Sequence, residues 1–399
     1  MGKIPEHLNE VYIVAATRTP VGAFQGSISS VPTTKLGATI IQSALKQAGL
    51  KPDQVDEVIM GNVITAGEGQ APARQAAIYA GLPVDVECMT INKVCGSGLK
   101  SVMLAAQAIQ VGDADIIVAG GMESMSNVPY YVPKGRTGYR LGNGTLEDGI
   151  LRDGLLNVYD NTHMGLAGER CATEYNYSRE AQDAFAVESY KRAIRAQENG
   201  DFDAEITPVE IPQRKGDPVI VTQDDEPKRV NFEKIPTLRP AFQKEGTITA
   251  ANASKINDGA AALVLVSGEM LQQLSLTPIA KVIAQSSAAQ APEWFTTAPA
   301  KAVNKVLKKT GMTVDDIDLY EINEAFSVVT MVTMDELKIS YDKVNVNGGA
   351  VSLGHPIGAS GARILTTLLY AMAAREAKRG LATLCIGGGE ASALIVERV

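Results

Sequence analysis

The feature of this 399-residue sequence that most constrains its fold is a diverged internal repeat. Residues 48–61 align without gaps with residues 310–323, at an offset of 262, and the repeat continues at Ser97-Gly98 and Ser360-Gly361 at an offset of 263. In each copy a helix, a strand, a glycine-rich turn, a second helix and a second strand follow one another, which favours an α/β architecture with covered sheets. The repeat therefore predicts two similar halves that pack face to face.

The segment between the two copies, roughly residues 123–247, has no counterpart and is rich in Gly, Asp, Glu and Tyr. We interpret it as an inserted loop domain that contains an amphipathic helix near residues 179–199. The predicted division is an N-terminal half of residues 1–122 with 248–275, the insertion of residues 123–247, and a C-terminal half of residues 276–399.

Charge and hydropathy exclude several classes of protein. The chain has 37 basic and 45 acidic residues, and this excess of negative charge argues against a general nucleic-acid surface. No apolar run approaches the length that spans a bilayer, and the residues from Met1 to Glu6 lack the apolar core of a secretory signal. The four cysteines show no Cys-x-x-Cys spacing, so we expect neither a zinc site nor a secreted disulfide framework, and we expect a reducing cytoplasm.

Cys95 lies in a glycine-rich turn, Val94-Cys-Gly-Ser-Gly98, directly before an apolar pattern with helical spacing. The positive end of a helix dipole stabilises a thiolate and lowers the thiol pKa, which makes Cys95 a candidate nucleophile. The alternative is a buried cysteine that acts only as a small apolar residue. Position alone does not decide between these two interpretations.

His355 and Cys385 also lie beside glycines. His355 stands between Gly354 and Pro356, where a stiff backbone would hold an imidazole that deprotonates a thiol or donates to an oxyanion; the alternative is a structural loop histidine. Cys385 ends a buried-strand pattern, and the three following glycines expose N–H groups that could hold an oxyanion. A second thiol there could resolve a disulfide or act as an acid and base.

Four motifs in this order resemble the signatures of the thiolase family along essentially the whole chain: Asn92–Gly98, Asn323–Phe326, Gly348–Gly361 and Cys385–Gly389. The segments Asn161–Gly165 and Thr249–Ser254 are similar to the biosynthetic, short-chain branch of that family. The resemblance implies a five-layer αβαβα fold, built from two repeated halves plus a loop domain that binds coenzyme A. It also implies a homotetramer, a dimer of dimers.

The activity implied by the resemblance is the reversible Claisen condensation of two acetyl-CoA molecules to acetoacetyl-CoA and CoA, through an acetyl-cysteine. In that scheme Cys95 is the nucleophile, His355 its base, and Cys385 removes a proton from the second acetyl-CoA. Asn323 holds a water for the enolate oxyanion, and the N–H groups of Cys95 and Gly387 serve the tetrahedral intermediate.

Positions that match the substrate-binding pattern of the family are His163, Met164, Arg229, Ala241, Phe242, Ser254, Ala325 and Phe326. Taken singly, Met164 and Phe242 could be core residues and Arg229 a solvated charge. The resemblance implies acyl-CoA substrates, no nucleic-acid or membrane partner, no cofactor and no metal ligands. Potassium-dependent members carry a tyrosine where this chain has Pro227, which argues against a potassium site.

Several other functions remain open at this point. A degradative 3-ketoacyl-CoA thiolase would use the same chemistry on longer chains, and His163-Met164 argues against it. A decarboxylating ketoacyl synthase should have a second histidine in place of Asn323. A catalytically silent acyl-CoA or lipid binder, or a dithiol redox protein using Cys95 and Cys385, would not form an acetyl-enzyme.

Overall fold

The computed structural model describes residues 8–399. The first seven residues of the predicted N-terminal half lie outside the described residues, and so does the prediction that they contain no signal core. The strands are β1 Val11–Arg18, β2 Gly22–Ala23, β3 Glu57–Gly61, β4 Glu87–Ile91, β5 Ile116–Ser124, β6 Tyr130–Tyr131, β7 Glu147–Asp148, β8 Leu156–Asn157, β9 Thr162–His163, β10 Val209–Ile211, β11 Val219–Val221, β12 Asn257–Ser267, β13 Ala280–Ala289, β14 Leu319–Ile322, β15 Arg379–Ile386 and β16 Glu390–Arg398. The α-helices are α1 Thr33–Ala48, α2 Pro72–Tyr79, α3 Ser97–Val111, α4 Met164–Glu174, α5 Arg179–Asn199, α6 Gly268–Gln273, α7 Ala298–Thr310, α8 Ser327–Leu337, α9 Ala350–Leu353 and α10 Ser360–Ala374.

The large sheet shows the repeat directly. Its strand order is β14-β15-β16-β13-β1-β12-β5-β3-β4, with β2 paired beside β12. On either side of the β13–β1 contact the pairing is similar. In one half β14 runs parallel to β15, in the other β3 runs parallel to both β5 and β4, and the strands between them are antiparallel. Within the sheet the two halves are joined by the pairing of β1 with β13, in which Tyr12 lies opposite Lys281 and Ile13 lies opposite Ala280.

Helices cover both faces of each half, as an α/β repeat requires. Helices α3 and α10 lie between the two halves, in one apolar core that takes side chains from both copies. Helices α1 and α2 cover the outer face of the first half, and α7 and α8 cover the outer face of the second. Along β5, Ile117 and Ala119 face the middle core while Ile116 and Val118 face the outer one, as period-two alternation dictates. The five-layer thiolase-like arrangement is confirmed.

The insertion lies between β5 and β12 of the first half. At the equivalent point of the second half, only Gly387–Gly389 connect β15 to β16. The predicted amphipathic helix is α5, with the bounds Arg179–Asn199. The insertion is attached to the first half by main-chain hydrogen bonds, among them the one from Arg18 N to Glu205 O at 2.8 Å. None of the helices in residues 8–399 has the length and apolarity that crossing a membrane requires.

The carboxyl ends of the parallel strands β3, β5, β14 and β15 lie where the two copies of the repeat meet. The helices α3 and α10 begin there, and their N-termini touch, because an added Cβ at Gly98 would lie 2.8 Å from the main-chain nitrogen of Ala362. Glycine at this position permits the close approach. Crevices at the carboxyl ends of strands are the usual place for ligands in α/β proteins.

Candidate active site

A cavity of about 780 Å³ opens at this meeting point of the two halves and the insertion. Its lining includes three of the five residues expected to be catalytic, Cys95, His355 and Gly387. All eight positions expected to bind substrate also line it: His163, Met164, Arg229, Ala241, Phe242, Ser254, Ala325 and Phe326. A mostly apolar concavity with a few convergent polar groups is the usual form of a small-molecule site.

Cys95 lies in a tight turn between β4 and α3. Val94 has φ +46°, an outlier for a β-branched residue, and it is kept there by the hydrogen bond from its N–H to Asn92 Oδ1 at 2.9 Å. Ser97 closes the turn, since its hydroxyl accepts from Lys93 N–H and donates to the carbonyl of Val94. Strain at this point aims the following cysteine into the cavity, and strained residues cluster at functional sites.

Burial, rather than the helix dipole, dominates the Cys95 thiol. Burial raises the pKa of Cys95 to about 11, although the N–H groups of Gly387 and of Cys95 itself point at the sulfur and favour the thiolate, and Glu123 adds to the increase. The lowered pKa expected from the helix N-terminus is therefore wrong, because loss of solvent outweighs the dipole. The sulfur needs a base.

His355 is held so that one ring nitrogen faces the cavity. Its main-chain N–H donates to Asn257 Oδ1 at 2.9 Å, and its Nδ1 lies 2.6 Å from Ser360 Oγ. Ser360 donates its single hydroxyl hydrogen to the carbonyl of Pro356 at 2.8 Å, so the hydrogen shared with His355 belongs to Nδ1. This assignment of the tautomer leaves the lone pair on Nε2, which has no partner among residues 8–399.

The protonation state of His355 suits a base. Burial, followed by the positive charge of Arg363, lowers the pKa of His355 to about 3. The imidazole is therefore neutral at pH 7, and the unpartnered lone pair on Nε2 can take a proton. A cavity with a thiol and a neutral imidazole at one end is suited to transfer of an acyl group to sulfur.

Cys385 and Asn323 are close to this end of the cavity but are not in its lining. Cys385 is fully buried near the end of β15, where burial, followed by the proximity of Cys95, raises its pKa well above the ordinary value. Asn323 directly follows β14, and its N–H donates to Thr383 O at 3.0 Å. Neither Oδ1 nor Nδ2 of Asn323 has a hydrogen-bond partner in the described part of the chain. A buried unpartnered amide suits a group that binds substrate or water.

A row of rings forms one wall of the cavity. His163 stacks on Phe242 with centroids 4.6 Å apart, and Phe326 meets Phe242 edge-on at 5.9 Å and Phe295 at 6.5 Å. The Nδ1 of His163 accepts the N–H of Gly165 at 3.0 Å, which caps α4 and orients the ring. Aromatic walls of this kind form a rigid apolar channel.

The remaining predicted substrate positions are fixed through the main chain. Ser254 N–H donates to the carbonyl of Ala325 at 3.0 Å, and Ala241 N–H donates to the carbonyl of Ile248 at 2.8 Å. Arg229 lies exposed in a short 3-10 turn at the cavity rim. The structure thus brings every predicted site residue to one region, and the role of each stays a prediction.

Some residues of the site carry no clear sequence signal. Ser360 lies inside the glycine-rich motif, but only its contact with His355 shows its role. Glu123 is fully buried and accepts the N–H groups of Val63, Ile64 and Gly358, so it ties the end of β3 to the loop after His355. Its pKa is raised to about 8 by burial. Lys234 and Lys255 also line the cavity, and only the second adjoins a motif.

The chain is similar to thiolases in both sequence and fold. The sequence model described as "Thiolase, N-terminal domain" matches residues 11–269, and "Thiolase, C-terminal domain" matches residues 276–398. The acetyl-CoA acetyltransferase of Schizosaccharomyces pombe is 53% identical over 98% of this chain and 99% of its own. The mitochondrial acetyl-CoA acetyltransferase of Mus musculus is 52% identical over 98% of this chain and 92% of its own. The crystal structure of Acat5 thiolase from Ascaris suum in complex with coenzyme A has a TM-score of 0.93 and 46% identity, over 98% of this chain and all of that one.

Proposed function

The chain belongs to the thiolase family, and from that premise we propose that it is an acetyl-CoA acetyltransferase that interconverts two acetyl-CoA molecules with acetoacetyl-CoA and CoA. One observation carries the proposal: Cys95 lines the same ring-walled cavity as the neutral His355, whose Nε2 has no partner among residues 8–399. The chain also matches acetyl-CoA acetyltransferases at about half identity over nearly its whole length.

The first half-reaction acetylates Cys95. Because the Cys95 thiol has a pKa of about 11, it attacks the thioester as its proton passes to Nε2 of His355. A bond forms between the sulfur and the acetyl carbon, and the bond from that carbon to the CoA sulfur breaks. The N–H groups of Cys95 and Gly387, which point at the sulfur, are close enough to receive the oxyanion of the tetrahedral intermediate.

The second half-reaction uses Cys385 as a base. The departing CoA thiolate takes the Cys385 proton, and the Cys385 thiolate then removes a proton from the methyl group of a second acetyl-CoA. The carbanion attacks the acetyl group on Cys95, so a carbon–carbon bond forms and the Cys95 sulfur leaves and regains the proton held by His355. The Nε2–H of His355 and a water held by Asn323 stabilise the enolate oxygen, because charge develops there only in this step.

The cavity fits an acyl-CoA. Its volume of about 780 Å³ is within the range of sites for ligands of this size, and its apolar wall suits the pantetheine arm. His163, Met164, Phe242, Ala325 and Phe326 form that wall, while Ser254 and Ala241 contribute at the main chain. At the rim Arg229 and Lys234 offer positive charge to the nucleotide end.

We further propose a homotetramer that works in the cytoplasm without a cofactor or a metal ion. A dimer of dimers needs two separate contact surfaces. One candidate is β4, which ends the described sheet and exposes Met89. The other is the excursion of residues 130–159, whose apolar side chains are 61% to 99% exposed at Tyr130, Leu141, Leu146, Val158 and Tyr159. All four cysteines are free thiols, which fits a reducing compartment.

The deciding experiment is CoA-dependent cleavage of acetoacetyl-CoA by the purified protein, beside a longer 3-ketoacyl-CoA at matched concentration. We expect a strong preference for acetoacetyl-CoA, and mass spectrometry after acetyl-CoA treatment should find one acetyl group on Cys95. Equal rates would assign the chain to the degradative branch, and absence of cleavage with no acetyl-enzyme would make it a silent binder. The Cys95→Ser protein serves as the control that should show neither signal.

A further inference from the structure

A lysine that the proposed chemistry does not use lies in the wall of the cavity. Lys255 directly follows Ser254, and its Nζ donates to the carbonyl oxygens of Ala253 at 3.0 Å and Val351 at 2.9 Å. Within residues 8–399 no carboxylate oxygen lies within 4.0 Å of Nζ. Main-chain carbonyl oxygens, rather than an acidic side chain, therefore hold this cation in place.

The two carbonyl groups belong to different parts of the site. Ala253 precedes Ser254 in the segment that lines the cavity for the pantetheine arm, whereas Val351 is in α9, which leads within four residues to His355. The Val351 N–H also donates to Glu324 Oε2 at 3.1 Å, inside the Asn323–Phe326 motif. One ammonium group thus joins the substrate segment to the segment that carries the base.

The surroundings of Lys255 favour a positive charge. The carboxylates of Glu226 and Glu324 act on it through space, and the Tyr190 ring lies 5.2 Å from Nζ. Burial outweighs these effects and lowers the pKa of Lys255 to about 8, which still leaves an ammonium ion at neutral pH. Carbonyl oxygens, an aromatic face and distant carboxylates also suit a dehydrated potassium ion.

We propose that the Lys255 ammonium is a built-in monovalent cation, which fixes the substrate segment against α9 so that the enzyme needs no bound potassium ion. The carboxylate of Glu226, which belongs to the insertion, also acts on this ammonium group through space. A potassium ion does not fit this place here, because Nζ already takes both carbonyl oxygens. The inference rests on the proposed function, in which Lys255 is a positioning residue.

The test compares Lys255→Ala with the wild-type enzyme in acetoacetyl-CoA thiolysis, in potassium, sodium and choline chloride at equal ionic strength. The wild type should give the same rates in all three salts. In choline chloride the variant should show a KM for CoA raised about tenfold with a smaller change in kcat, because the two carbonyl groups lose their buried donor. Potassium should restore most of the loss, since alanine leaves room for the ion.

Two further variants separate a cation from mere packing. Lys255→Met fills the same space without a charge, so potassium should not restore its KM. Lys301→Ala removes an exposed lysine from α7 and should match the wild type in every salt. Activation of the wild type by potassium over choline would overturn the proposal, since a separate ion site would then exist. Wild-type behaviour of Lys255→Ala in all salts, or a loss that no cation restores, would overturn it equally.

The rates of the wild type in the three salts test the proposal even when Lys255→Ala fails to fold. Equal rates with and without potassium support the built-in cation, and activation of the wild type by potassium contradicts it. Failure of the proposed function gives a different result, the absence of acetoacetyl-CoA cleavage by the wild type. In that event calorimetry of CoA binding to the same proteins in the same salts replaces the kinetic readout. Binding that is weaker in Lys255→Ala and restored by potassium supports the proposal, and binding unaffected by either change contradicts it.

Discussion

The two groups at the reactive end of the cavity have their protonation states set mainly by burial. The Cys95 thiol has a pKa of about 11 and the His355 imidazole one of about 3, so the resting site holds a neutral pair at pH 7. A neutral pair costs less to bury than a thiolate with an imidazolium. In the proposed mechanism, proton transfer from Cys95 to His355 therefore accompanies attack of the sulfur on the thioester.

Replacement of the second thiol should separate the half-reactions. In Cys385→Ser, acetylation of Cys95 should continue, because the nucleophile and His355 are intact, while condensation should fall by at least about a hundredfold, the range in which a general base contributes. Trapping with labelled acetyl-CoA measures the first step, and formation of acetoacetyl-CoA measures the second. Equal loss of both steps would show that the two thiols have been assigned the wrong roles.

We expect the hydroxyl of Ser360 to affect catalysis by fixing the tautomer of the His355 ring. Ser360→Ala removes the acceptor of the Nδ1 hydrogen, so either ring nitrogen can then carry it, and kcat should fall about 10- to 100-fold, as when the partner of a functional histidine is lost. The pH profile of kcat should shift as well, which a purely structural residue would not cause.

A buried hydroxyl further along α10 is the control for Ser360. Thr366 donates to the carbonyl of Ala362 at 2.9 Å and has no contact with His355. Thr366→Val should change the melting temperature but leave the pH profile of kcat in place. A Ser360→Ala enzyme with an unchanged profile and full kcat would remove Ser360 from the account of His355.

Among elements, the contact between the N-termini of α3 and α10 brings Cys95 and His355 to the lining of one cavity. Gly98 begins this contact, with the carbonyl of Gly358 3.0 Å and the nitrogen of Ala362 2.8 Å from any added Cβ. Both neighbours are main-chain atoms, so they cannot move aside as a flexible side chain would. The close approach of the two helices is therefore a condition for the site.

The Gly98→Ala substitution should accordingly destabilise the protein by about 1–3 kcal/mol, the usual cost of overpacking a core. It should also lower activity, because separation of α3 from α10 displaces Cys95. Thermal unfolding monitored by circular dichroism measures the first effect. Gly268→Ala in α6 is the control: its nearest atom would be 3.6 Å away, so we expect no loss of stability.

At the scale of the whole molecule, one buried arginine attaches the insertion to the sheet. Arg18, in β1, binds Glu205 Oε1 through Nε at 2.6 Å and both oxygens of Asp224 at 2.7 and 3.0 Å. All three side chains are excluded from solvent. The cavity is lined by residues of the two halves and of the insertion, so this network also holds its two walls together.

Arg18→Met should cost about 3–5 kcal/mol, because it leaves two buried carboxylates without their partner. The melting temperature should fall, and protease cleavage within the insertion should increase before the two halves unfold. The half-exposed ion pair between Lys281 and Glu10 provides the matched control. Lys281→Met should change stability by no more than about 1 kcal/mol. A stable Arg18→Met protein with an uncleaved insertion would contradict this role.

The amino-acid sequence was enough to predict the two-fold plan of the molecule and to nominate the residues of its chemistry. The repeat required two similar α/β halves, because the same order of apolar patterns must form the same local elements, and the bounds of α5 followed from helical spacing alone. The motifs around Cys95, His355 and Cys385 identified candidates, since few residue types carry reactive groups and glycine marks a close backbone approach.

The protonation states and hydrogen-bond partners of those groups depend on the folded structure. Residues far apart in the chain supply the burial that raises the Cys95 pKa, the hydroxyl of Ser360 that sets the His355 tautomer, and the carbonyl of Val351 that binds Lys255. Local patterns report spacing along the chain, whereas solvent exclusion and hydrogen-bond partners depend on which segments meet in space. For this reason the sequence suggested a thiol activated by a helix dipole, and folding produced a half-buried thiol with a raised pKa, for which we propose a base.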